Sequence, residues 1–137
     1  MGVETVRYRS AEFMASDTYI ELWMLEVVRQ IDISETAVPW LKEMRDDWHL
    51  QATAGFGFGP CPELDRVATT QDRRAELLRL FDKAMASLKT RGRDFTPAEL
   101  YAWGVGGTDV YYSTDVPLDN VIRVGEQFIE LVSQGED

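Results

Sequence analysis

The chain contains one cysteine and one histidine in 137 residues, and each scarcity closes a class of chemistry. Cys61 alone cannot form an internal disulfide, so a disulfide scaffold is excluded and a reducing cytoplasm is the expected compartment. His49 follows Asp46 by three positions, which is half of a carboxylate–histidine pair. A di-metal site in a helical bundle needs a second such pair, and zinc would lack soft ligands. No metal site and no cofactor is therefore predicted. Basic residues are also in deficit, 14 against 24 acidic, for a formal net charge of −10. That balance argues against direct nucleic-acid binding, which depends on neutralising phosphates, and against an anionic membrane surface. No apolar run approaches the ~20 residues that span a bilayer. The opening MGVETVRYRS has no apolar stretch of a secretory signal, and Val6 stands where a myristoylation motif wants Ser or Thr. Repeats, low-complexity tracts and long linkers are missing as well, so one domain over 1–137 is expected.

What is present is helical periodicity. Ser16 or Asp17 can cap a helix running TYIELWMLEVVRQI, in which Ile20, Trp23, Met24, Val27, Val28 and Ile31 recur at helical spacing. Tyr19, Leu22 and Leu25 widen the stripe until little polar surface remains, the pattern of a central helix or of one facing another chain. A second helix is predicted over about 36–52, with Pro39 in its first turn and Val38, Leu41, Met44 and Trp48 on one face. A third runs from a Thr69 or Thr70 cap to Gly92, with Leu77, Leu78, Phe81, Ala84, Met85 and Leu88 as its stripe. FTPAELYAW reads as a short helix with Thr96 as cap, Pro97 at the first position and Glu99 closing a capping box. A fifth helix runs from Pro117 to about Ser133, and Gly125 within its apolar face permits a close helix approach. These elements predict an all-α fold, a compact bundle of about five helices. The segments VETVRYR and VYYST are ambiguous, and a small two-stranded β-ribbon between them is the expectation for both.

The stretch GFGFGPCPELD, residues 55–65, invites three chemical readings. A phosphate loop would follow a strand and keep its N–H donors, whereas this one follows a predicted helix, spaces its glycines G-x-G-x-G, and loses two donors to Pro60 and Pro62. GVGGTD at 104–109 fails for the same reason, since it follows a helix and leads into acidic sequence. Cys61 would cap a short helix PELDRVA, where the helix N-terminus favours a thiolate, although Glu63 and Asp65 oppose it. His49 is the only imidazole available as its base. Phe56 and Phe58, spaced by glycines, either fold back onto the core or are offered to a partner. Of the four tryptophans, Trp23 and Trp48 fit core positions, while Trp40 and Trp103 sit near helix ends.

Charge is distributed unevenly. Residues 66–93 carry eight bases against three acids, residues 1–65 five against twelve, and residues 94–137 only Arg123 against nine acids. The simplest expectation is that the cationic segment is neutralised between its anionic neighbours. Function then reads as a small acidic protein-binding module that masks a basic protein partner, the class to which bacterial inhibitors of nucleic-acid-acting toxins belong. Its contact residues are expected to be Phe56, Phe58, Trp103, Asp109, Asp115 and Asp119. The alternative is a small enzyme or redox protein using Cys61 with His49. A homo-oligomer through the wide apolar face of the first helix is compatible with either.

Overall fold

The computed structural model describes residues 2–54, 59–108 and 110–135. Two strands come first, β1 (Val3–Tyr8) and β2 (Ala11–Ser16). They are followed by α1 (Asp17–Arg29), a 3-10 turn (Ile33–Ala37), α2 (Pro39–Ala54) and the single turn α3 (Leu64–Val67). The chain continues with α4 (Gln71–Arg91), α5 (Pro97–Trp103) and α6 (Leu118–Gln134). The architecture is thus a mostly α bundle with a small antiparallel hairpin. No described helix is long and apolar enough to cross a membrane.

The ribbon differs from the one expected. VETVRY pairs with AEFMAS, its neighbour in sequence, in register Val6↔Phe13 and Arg7↔Glu12. Alternation then places Val6 and Tyr8 in the core while Arg7 faces out and meets Glu12 at 2.5 Å. The turn is Arg9-Ser10, with Arg9 at φ +56° where a hairpin of this length favours glycine. Asp65 holds that backbone by accepting from the Arg9 N–H at 2.8 Å. VYYST forms no strand. Its neighbour Val116 makes an isolated bridge with Phe95.

Helix α1 is the centre of the bundle, covered by α2, α4 and α6, and everything from Ile20 to Val28 is buried. Each of these four helices sends one large ring inward. Trp23 lies with its ring centroid 5.5 Å from Phe81 and 6.0 Å from Phe128, and Trp48 lies 6.4 Å from both. Phe13 of β2 adds an edge contact to Phe128 at 5.4 Å and so fastens the hairpin to α6. Truncating any one of the four buried rings, Trp23, Trp48, Phe81 or Phe128, costs about 3–5 kcal/mol. Gly125 lies where α6 packs closely on α1. A Cβ there would lie 2.5 Å from Trp23 Cζ3 and 2.8 Å from Met85 Cε.

Local signals set the helix ends. The Thr70 side chain accepts from the Arg73 N–H, Gly92 ends α4 in the left-handed region, and Thr96 with Glu99 forms the capping box of α5. Pro117 has no side chain to cap α6. Asp94 does this from a distance by accepting from the Leu118 N–H at 2.9 Å. Val38, expected on the buried face of the second helix, precedes α2 and is exposed.

Candidate functional site

The segment between α5 and α6 is a built surface loop. Gly104, Gly106 and Gly107 all take positive φ and turn the chain back across the end of α5. At Gly106 the backbone N–H donates to the Ala52 carbonyl at 2.8 Å, and a Cβ would meet Val110 Cγ2 at 2.9 Å. Residues 104–107 are therefore a chain reversal packed on α2. Past it two adjacent tyrosines have opposite exposures. Tyr112 points in. Its ring lies 5.5 Å from Tyr101, its N–H donates to Tyr101 Oη at 2.7 Å, and its own hydroxyl donates to the Val105 carbonyl at 2.9 Å. Tyr111 points out and is 83% exposed. Ser113, Thr114 and Asp115 follow on the surface, Val116 returns to the core, and Asp119 is exposed in the first turn of α6.

Beneath this loop lies an unusual acid. Glu21 occupies the middle of α1 at 8% exposure, with no cation and no hydrogen-bond partner among the described residues. Burial, with a smaller contribution from the Asp17 carboxylate one turn earlier, pushes it up to about 8. Burial, then the nearby Glu21, pushes the Tyr112 phenol up to about 12. The loop therefore rests on a carboxyl that keeps its proton at neutral pH. Glu26, also buried in α1, is treated differently: it accepts from Ser87 Oγ at 3.1 Å and has Arg29 at 3.8 Å.

The cationic segment is largely engaged with internal partners. Arg79 pairs with Glu35 at 2.8 Å and with Glu76 at 2.5 Å, Arg66 with Glu63 at 2.7 Å, and Arg74 donates to the Gly135 carbonyl. Arg91 and Arg93 converge on Glu99 at 2.5 and 3.1 Å, and the hydrogen bond from Arg91 leads in holding that carboxyl down at about 2. Both acidic flanks thus contribute to the neutralisation, Glu35 from one side and Glu99 from the other. Asp115 and Asp119 make no ion pair among the described residues.

The remaining candidate residues are dispersed. Phe56, Phe58 and Asp109 lie outside the described residues. Trp103 is half-buried, with the Arg29 guanidinium 4.3 Å and the Arg91 guanidinium 5.6 Å from its ring centre and Phe95 against its edge at 5.9 Å. Its ring is engaged inside the fold. Cys61 is exposed but caps nothing. The turn α3 begins at Leu64 with Glu63 at its cap, and the Cys61 N–H donates to Gln51 Oε1 at 2.6 Å. The helix-terminus argument for a thiolate therefore does not apply. His49 is exposed on α2, and no hydrogen bond joins it to the thiol among the described residues.

Two hollows, about 310 and 440 Å³, flank Trp40. Arg73 stands between them with its guanidinium 5.2 Å from the Trp40 ring centre, so this ring already has its cation.

Tyr111 and Tyr101 are the surface aromatics that sequence reasoning missed. A signal existed: if VYYST is extended, one of its two adjacent tyrosines must face out. Compared with protein-family models, curated proteins and solved structures, the chain matches none.

Proposed function

We propose that this chain is a small acidic protein-binding module, working in a reducing compartment, that covers a basic face of a protein partner. The contact surface is the α5–α6 loop: Tyr111 supplies the apolar anchor, Tyr101 its flank, and Asp115 and Asp119 the charge. One observation carries the reading. A tyrosine 83% exposed stands on a tied loop beside acids that have no ion-pair partner among the described residues, while most of the nearby cations are engaged elsewhere. Tyrosine suits this role because it offers a large amphipathic area with few rotamers to freeze. Unpaired acids attract a cationic target over about a Debye length, ~8 Å at physiological ionic strength. Inhibitors that mask nucleic-acid-acting enzymes work by this logic, and the overall charge of −10 fits it.

The test compares wild type with the triple variant Tyr111→Ala, Asp115→Lys, Asp119→Lys as immobilised baits in extract from the native cell. The reading expects a basic protein bound by wild type, lost with the triple variant, and released from wild type by moderate salt. Equal recovery by both baits refutes it, provided the variant melts within a few degrees of wild type.

A further inference from the structure

We propose that an extended segment of a protein partner docks as a third strand along β2, in the groove between β2 and α6. The hairpin is a two-stranded sheet, so β2 is paired on one side only. Along its other edge, no backbone group from Ala11 to Ala15 has a partner among the described residues. Sheet edges of this kind are normally blunted by lysine, proline or a bulge. AEFMAS has none of these. Its one charge, Glu12, is at the turn end and bound to Arg7, and Met14 is 65% exposed.

Two hollows of about 320 and 200 Å³ lie end to end between this strand and α6, and they meet at Gln127. The first borders Met14–Ser16, the second Ala11–Phe13, so together they follow the whole strand. Six residues of strand cover about 20 Å, and the facing stretch of α6 from Asn120 to Gln134 covers about 21 Å. The groove thus has the length of a five- or six-residue strand. An edge strand beside a helix is the geometry in which main-chain hydrogen bonds supply affinity and alternate side chains enter pockets.

The groove also has a polarity. Arg123 lines its Ser16 end, is exposed, and has no acid partner among the described residues. It is the only base between residues 94 and 137. Ser16 Oγ, at the same end, is buried without a hydrogen-bond partner among the described residues. Glu12 and Glu130 line the other end. The occupant therefore carries an acidic group at the Arg123 end and a basic group at the Glu130 end. Running antiparallel to β2, its acid is N-terminal and its base C-terminal. A second copy of the chain is the competing occupant, and a net charge of −10 on each copy opposes it. This groove shares no residue with the Tyr111 surface, so the two proposals stand or fall separately.

The experiment is amide hydrogen exchange, read by NMR on the full chain, with and without the peptide acetyl-Asp-Val-Thr-Val-Thr-Lys-amide at millimolar concentration. A control peptide reverses the charges, Lys first and Asp last. The outward amides of β2 are expected to slow by about tenfold with the first peptide and several-fold less with the control. Arg123→Glu makes both ends of the groove acidic and is expected to erase that preference while leaving the melting temperature unchanged. In the wild type, unchanged β2 exchange with both peptides, or an equal response to both, overturns the proposal. Slowing that appears without peptide and grows with protein concentration assigns the edge to a second copy and also overturns it.

Discussion

Replacing Glu21 with glutamine removes a titrating proton from the centre of α1 while keeping the shape of the side chain. In the folded protein this carboxyl holds its proton up to about pH 8, against an ordinary value of 4.5. Between those two values the unfolded chain has released the proton and the folded chain has not. The unfolded state binds fewer protons, so stability falls as pH rises. The stabilising effect is complete below about pH 4.5, is lost progressively up to about pH 8, and is gone above it. At 1.36 kcal/mol per pH unit, the whole window is worth on the order of 5 kcal/mol. Relaxation that admits water to the carboxylate reduces this, so the working expectation is on the order of 3 kcal/mol between pH 5 and pH 8. Glutamine has no proton to hold, and its curve should lack this slope. Urea unfolding of both proteins at several pH values between 5 and 9 measures the difference. Glu21→Gln should be close to wild type at pH 5 and more stable at pH 8, by about 10 °C in melting temperature for a chain of this size. Asp17, raised by burial and by Glu4, contributes a slope of the same sign in both proteins and cancels in the comparison. Two parallel curves would refute the reasoning. They would mean that Glu21 is ionised in the folded state and finds a partner or solvent there.

Three further outcomes follow from the packing. Gly125→Ala should destabilise the protein by about 1–3 kcal/mol in thermal or urea unfolding, because its methyl group meets the packed Trp23 ring, which cannot swing aside as the Met85 end can. A neutral result would show that α6 can shift away from α1. Glu99→Gln breaks the charge–charge contacts with Arg91 and Arg93 and weakens the capping box, for a loss of about 1 kcal/mol at pH 7. Because the Glu99 carboxyl is depressed, its contribution is present above about pH 4.5 and is lost as pH falls toward 2, so the two unfolding curves should converge in acid. Cys61→Ser, at an exposed position, should change stability by less than about 0.5 kcal/mol and leave partner binding intact. Loss of binding in that variant would reinstate the thiol as a functional group.

Most of what was legible in the sequence lies within one helical turn of the residues that encode it. Thr70, Gly92, Thr96 and Glu99 act on backbone groups three or four positions away, so their roles are readable without a partner, and the stripe of α4 follows from its own period. Gly125 was readable because a glycine inside an apolar face has no local use there. The hairpin was harder. VETVRY alternates only weakly, and Arg9-Ser10 gives no glycine or asparagine signal for the turn. Its inward face is defined only when Phe13 reaches Phe128 across to α6. Glu21 belongs to a narrow polar strip by periodicity, and it becomes a buried acid because helices and the α5–α6 loop close over α1 from several sides. The same holds for Tyr111 and Tyr112, adjacent and chemically identical, whose fates separate because Tyr101 and the Val105 carbonyl capture one of them. Composition determined the charge of −10, but which acids pair with the arginines of α4 and the turn after it was decided by where folding brings Glu35 and Glu99. Caps and stripes depend on bonds closed between near neighbours in the chain. Desolvation and ion pairing depend on groups that only folding brings together.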